Sequence, residues 1–139
     1  LHEHGSGIKP HIELGKQIAA LRHEGYLIIG SGAETHNFKE FFKYVNGQDD
    51  QPAQPWVIEW KSQIRSALEN ASSNEEIAEK LTKVSTSELG RKAHPADDHW
   101  VPFGVALGAA MDKGVVKTQY LYEGVEFAVG GMGVYAFSS

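Results

Sequence analysis

Apolar residues recur at helical spacing along most of the chain. Leu14, Ile18 and Leu21, four and three apart, predict a first helix that stops at Gly25. Phe38, Phe41, Phe42 and Val45 share one side of a second helix that starts near His36. Trp56, Trp60, Ile64 and Leu68 fall every four residues and predict a strongly amphipathic third. Ile77, Leu81 and Val84 predict a fourth, entered through Ser73 and Glu76 at capping-box spacing, and residues 86–93 add a further turn. The last helix, residues 101–111, is apolar and rich in Ala. Gly104 and Gly108, four apart, permit close backbone approach there, and Pro102 fits its first turn.

Strand-like patterns are fewer. Tyr26-Leu27-Ile28-Ile29 is a continuous apolar run that reads as a buried strand of a parallel sheet, closed by the Gly30-Ser31-Gly32 turn. Residues 117–122 alternate, Glu123-Gly124 reads as a turn, and residues 125–129 and 133–137 read as strands broken at Gly130-Gly131. Residues 46–55, with Gly, Asp, Pro and Gln, form a loop. This order predicts an α/β fold, a partial mixed sheet flanked by helices, in one domain over residues 1–139. Three or four strands are too few for a self-contained sheet of this class.

Composition narrows the function. A net charge of -5 with no Lys/Arg cluster argues against nucleic acid as a partner. The absence of Cys excludes disulfides, thiolate metal sites and thiol nucleophiles, and leaves His, Asp and Glu as the strong ligands. No apolar run approaches the ~20 residues of a membrane span. The N-terminus lacks a basic start and an apolar core, so no signal peptide is expected and the setting is taken as cytoplasmic. The chain opens without Met, as a processed chain or a piece of a longer one would.

The densest chemistry lies in His94-Pro95-Ala96-Asp97-Asp98-His99-Trp100, immediately before the last helix. A neutral His99 at the edge of the core is a good ligand for zinc or ferrous iron. Asp97 or Asp98 can orient an imidazole or cap the helix N-terminus. His94, five residues before His99, does not share a helical face with it; it falls in a turn and is assigned to substrate binding. His36 lies past the carboxyl end of the predicted 26–29 strand, where open sheets bind ligands, and has a near-neutral pKa suited to acid/base work. The alternative for His36 is a helix-start residue bonded to its own loop. His36 and His99 are expected to meet in one site. The Gly-x-Gly lacks the third glycine of a dinucleotide fingerprint, and there is no Gly-x-Ser-x-Gly elbow. His2-Glu3-His4 is a second metal-type pair in a terminal Gly-rich segment, while His11 and His23 fall on solvated positions of the first helix. A site with three protein ligands needs at least one more than His36 and His99 provide.

Residues 21–32 with Thr35-His36-Asn37, the stretch His94 to Pro102, residues 106–110, and Gly124-Val125-Glu126 with Gly131-Met132 together resemble the LigB-type (class III) extradiol ring-cleavage dioxygenases. The 4,5-DOPA dioxygenase branch is the nearest. The resemblance implies a non-haem Fe(II), with zinc able to take its place, that binds a catechol such as DOPA together with O₂. It also implies ring opening beside the two hydroxyls rather than between them. By the same resemblance His99 is a metal ligand, and His36 is the acid/base residue close enough to count near the metal. Two further His ligands belong to the family's N-terminal half, which would precede Leu1. The chain then corresponds to the C-terminal half of a larger α/β catalytic domain, with the other half as a required partner. His4-Gly5-Ser6-Gly7 imitates one of the missing motifs, but its position gives it no ligand role. The alternative is a non-catalytic binding module that retains the fold. A small zinc hydrolase using His2, His4 and His99 is a third reading.

Overall fold

Small residues decide how the helices pack. In the computed structural model, which describes residues 7–47 and 51–139, helix α1 (Lys9–Ile18) lies directly on helix α6 (Val101–Ala110). A side chain added at Gly15 would strike the backbone of Val105, Gly108 and Ala109; one added at Gly108 would strike Ile12, and one at Gly104 would strike Ile8. Only hydrogen at these positions lets the two backbones meet. The buried face of α1 is therefore Ile12 and Gly15, continued by Ile8 before it and Ala19 after it, whereas Leu14 and Leu21 are exposed. The helix is where periodicity predicts it, but the buried stripe is rotated. The intervening residues Ala19–Glu24 form a 3-10 turn that Gly25 ends at φ +89, a left-handed conformation open to glycine at little cost.

Helices α3 (Pro55–Glu69), α4 (Asn74–Thr86) and α5 (Glu88–Ala93) pack around the same centre. Trp60, Ile64 and Leu68 from α3 meet Ile77 and Leu81 from α4, with Trp100 and Leu107 completing the cluster. Each such aliphatic side chain contributes about 1.5–3 kcal/mol by leaving water. Ser73 Oγ caps α4 by accepting from Glu76 N at 3.1 Å. The expected reciprocal bond is shifted by one residue: the Glu76 carboxylate accepts from the N–H and hydroxyl of Ser72, at 2.7 and 2.8 Å. Helix α2 is short, Phe38–Phe41, and Asn37 caps it by accepting from Glu40 N at 3.1 Å.

Strands β1 (Lys117–Glu126) and β2 (Gly130–Ser138) form an antiparallel hairpin, with Lys117 opposite Ser138 and Glu126 opposite Gly130. Glu123-Gly124 runs inside β1 and Gly130-Gly131 opens β2, so neither makes the expected turn or break. The chain reverses instead at Phe127 and Ala128, both at positive φ. Burial of Ala128 and Val129 against Val57 holds this strained turn in place.

The largest departure concerns residues 26–29. They form no strand: Leu27 is 83% and Ile29 77% exposed. A strand needs a neighbour, and among the described residues no backbone hydrogen bond reaches residues 27–32. The segment lies against α6 through Gly30, which touches Pro102, and Gly32, which touches His99. Among the described residues the architecture is mostly helical with one two-stranded antiparallel sheet, in place of the parallel or mixed sheet expected. Among the described residues no helix is long and apolar enough to cross a membrane.

Because an added methyl at Gly108 would meet the Ile12 backbone, Gly108→Ala will lower stability by about 1–3 kcal/mol in urea denaturation through overpacking. A stabilisation, the direction that intrinsic helix propensity alone favours, would show that the helices stand further apart.

Candidate functional site

Residues 33–37 are bound at every position, each to a different part of the fold. Ala33 N donates to His99 O at 3.0 Å. The Glu34 carbonyl accepts from Trp60 Nε1 at 2.7 Å and from His94 Nε2 at 2.9 Å. The buried Glu34 carboxylate pairs with Lys61 Nζ and accepts from the Tyr135 hydroxyl. Thr35 Oγ1 donates to Val129 O at 2.7 Å and accepts from Gly131 N at 2.6 Å. His36 N donates to Ala93 O at 2.9 Å, and Asn37 Nδ2 donates to Lys92 O at 2.6 Å. Burial, and then the charge of Glu34, push the Tyr135 hydroxyl well above its ordinary pKa, so it remains a donor.

This arrangement sets the His36 ring against His99. Their centroids are 3.5 Å apart and the rings are 14° from parallel. Asp98 Oδ2 lies 3.1 Å from His99 Nδ1. His36, Asp98 and His99 each offer one ligand atom, all within 4.8 Å of one another. Burial, followed by the neighbouring His99, lowers the His36 pKa below its ordinary value, which favours the neutral ring with a free lone pair. When His99 Nδ1–H donates to Asp98, its Nε2 is left as the lone-pair nitrogen. Two imidazoles and a carboxylate match the donor set of non-haem ferrous sites, and zinc accepts the same atoms.

The other candidates fall elsewhere. His94 is 1% exposed, packed between Trp60 and Trp100 with centroids 5.7 and 5.5 Å away. Burial pushes its pKa down to about 4. Its hydrogen bond to Glu34 supports the segment that carries His36, and its burial sets it back from the surface where a substrate-binding role was expected. Asp97 pairs with Arg91, at 3.1 Å, and neither it nor Asp98 caps α6, whose N-cap Trp100 has no side-chain cap bond. A 3-10 turn, Asp97–His99, intervenes and carries His99 outward. His23 is exposed and pairs with Asp112, and His11 is half-buried. His2 and His4 lie outside the described residues. Glu34, Lys61 and Tyr135 escaped the sequence reading because their partners are 27 and 101 residues away, with no local spacing to mark them.

Beside His99 opens a groove of about 570 Å³. Leu27, Ile29, Phe103, Leu121 and Val134 are among the residues that line it.

Residues 5–135 match the family model described as the catalytic LigB subunit of aromatic ring-opening dioxygenase. A 4,5-DOPA dioxygenase extradiol of Beta vulgaris is 33% identical over 129 residues, covering 93% of this chain and 44% of the relative. One from Escherichia coli K12 is 28% identical over 99 residues, covering 71% and 34%. The crystal structure of an uncharacterized Escherichia coli K12 protein superposes with a TM-score of 0.77 at 25% identity, over 96% of this chain and 51% of that one. The chain thus spans about half the length of the relatives it matches.

Two outcomes follow from the supports of this site. His94 has an ordinary value of 6.5 and a folded value of about 4, so the unfolded chain binds more protons between them. The stability tied to neutral His94 is complete above pH 6.5 and is lost as pH falls through 4. It amounts to roughly 3 kcal/mol. Denaturation midpoints measured across this range will fall less steeply in His94→Asn than in the unaltered chain. Lys61→Met will leave the Glu34 carboxylate buried without its cation and cost about 3 kcal/mol, read by the same denaturation; a neutral result would mean that water reaches Glu34.

Proposed function

The chain belongs to the LigB family of catalytic subunits of aromatic ring-opening dioxygenases, and from that premise we propose that its His36–Asp98–His99 group serves extradiol opening of a catechol such as DOPA by O₂. The contact between His36 and His99, with Asp98 beside them, is the observation that carries this reading. His99 is the metal ligand and His36 lies close enough to share the ion. Fe(II) bound there would gather the catechol oxygens and O₂ at one centre, and zinc can take the same donors.

The chain's own residues have distinct tasks. Asp98 fixes the tautomer of His99 through Nδ1. A ring nitrogen of His36, neutral through burial, takes the proton of a catechol hydroxyl and returns one to an oxygen of the opening ring. The hydrogen bonds of residues 33–37 fix the backbone that carries His36, which limits its reorganisation between the two transfers. The remaining ligands are two histidines from the part of the relatives' length that these 139 residues do not span. Exposed Leu27 and Ile29, in a segment without backbone hydrogen bonds among the described residues, and the exposed Leu121 and Val134 give that part an apolar seat. Among the described residues no helix is long and apolar enough to cross a membrane; a cytoplasmic setting is part of the proposal.

Metal content and catechol-dependent O₂ uptake, after anaerobic Fe(II) loading, test this on the chain alone and on a polypeptide carrying it at the relatives' full length. Only the longer form should hold one iron and consume O₂. In it, His36→Gln should lower the rate about 10²–10⁴-fold with most metal retained, and His99→Gln should lose the metal. A long form without metal or O₂ uptake would leave the fold as a binding module.

A further inference from the structure

We propose that Phe38 and Phe42 form a stacking shelf for the aromatic ring of the ligand that reaches the His36–Asp98–His99 group. This rests on the reading above and adds the residues that would hold the ring.

Asn37 caps α2, so the helix begins at Phe38 and its ring falls beside His36. The two centroids are 4.6 Å apart at 69°, an edge-on contact. Phe42, one turn later, lies over Phe38 at 5.9 Å and 23°. The two remain 57% and 65% exposed. Phe41, from the same turn, points the other way: it packs edge-on against Phe127 at 5.4 Å and joins the cluster around Val57. The short helix is therefore fastened on one side by Phe41 and the Asn37 cap, and presents two aromatic rings on the other.

Leaving two phenylalanines in water beside a polar cluster forgoes the gain of burying them. A flat aromatic ligand recovers part of that. Aromatic rings pair at centroid separations of about 4.5–7 Å, edge-on or offset. Phe38 already sits at that distance from His36, so a ring whose oxygens point at the cluster comes within pairing range of Phe38. The shelf is distinct from the apolar groove, whose lining includes His99 but neither His36 nor Phe38.

The test uses the zinc-loaded polypeptide at the relatives' full length and 4-nitrocatechol, whose visible spectrum reports binding. Phe38→Ala and Phe42→Ala should each raise its Kd about 2- to 10-fold. Phe38→Tyr, which keeps the ring, should stay within about twofold. Zinc affinity by calorimetry should be unchanged in all three, which separates the shelf from the metal site. An unchanged nitrocatechol Kd in both alanine variants, with zinc binding intact, overturns the shelf alone. Alanine variants that lose zinc or melt early show Phe38 and Phe42 to be a packing surface for polypeptide, which also overturns it. Absence of zinc binding by the unaltered protein removes the underlying reading, and the shelf with it.

Discussion

The carbonyl and carboxylate of Glu34 join four separately encoded elements at one residue. Through them α3, the His94 turn, β2 and the loop before α2 are held together, with Trp60, His94, Lys61 and Tyr135 as the partners. A buried ion pair of this kind adds little net stability over an apolar alternative, since desolvation offsets much of the attraction. It does specify a geometry, because every alternative leaves a buried charge or carbonyl unmatched. Two residues further on is His36, whose contact with His99 exists only while this loop is fixed. The precision of the candidate site is thus supplied by groups that never touch it.

His99 is positioned by a different device. The glycine-lined contact of α1 with α6 sets the helix that follows the 3-10 turn carrying the residue, and Gly32 brings the 26–33 segment against His99 itself. His36 and His99 arrive on separate supports, and Ala33 N to His99 O joins them directly. Small residues and buried polar groups, rather than bulk hydrophobic area, decide where the two imidazoles stand.

An unpaired apolar segment beside this well-packed core is unusual for a chain with so many buried anchors. Helices can satisfy their own backbone, so α1 to α6 form from these residues alone. A central strand cannot, since its hydrogen bonds belong to its neighbours. The described residues accordingly form a helical layer with one hairpin, which superposes on about half of the longer solved structure.

The sequence by itself determined the helices, their glycine and proline punctuation, and the short list of ligand-type side chains, because periodicity and capping act over a few residues. Trp60, Ile64 and Leu68 are buried as spaced, and the paired motifs around His36 and His99 carried the family resemblance that the family model bears out. Tertiary structure alone decided the rest. It rotated the buried face of α1 away from Leu14, since close approach at Gly15 needs a partner helix ninety residues distant to be visible. It withdrew His94 into the core, because burial depends on Trp60 and Trp100 closing around it. It drew Glu34, Lys61 and Tyr135 together across the chain. It left residues 26–29 with no strand beside them among the described residues, and a strand exists only where another lies alongside.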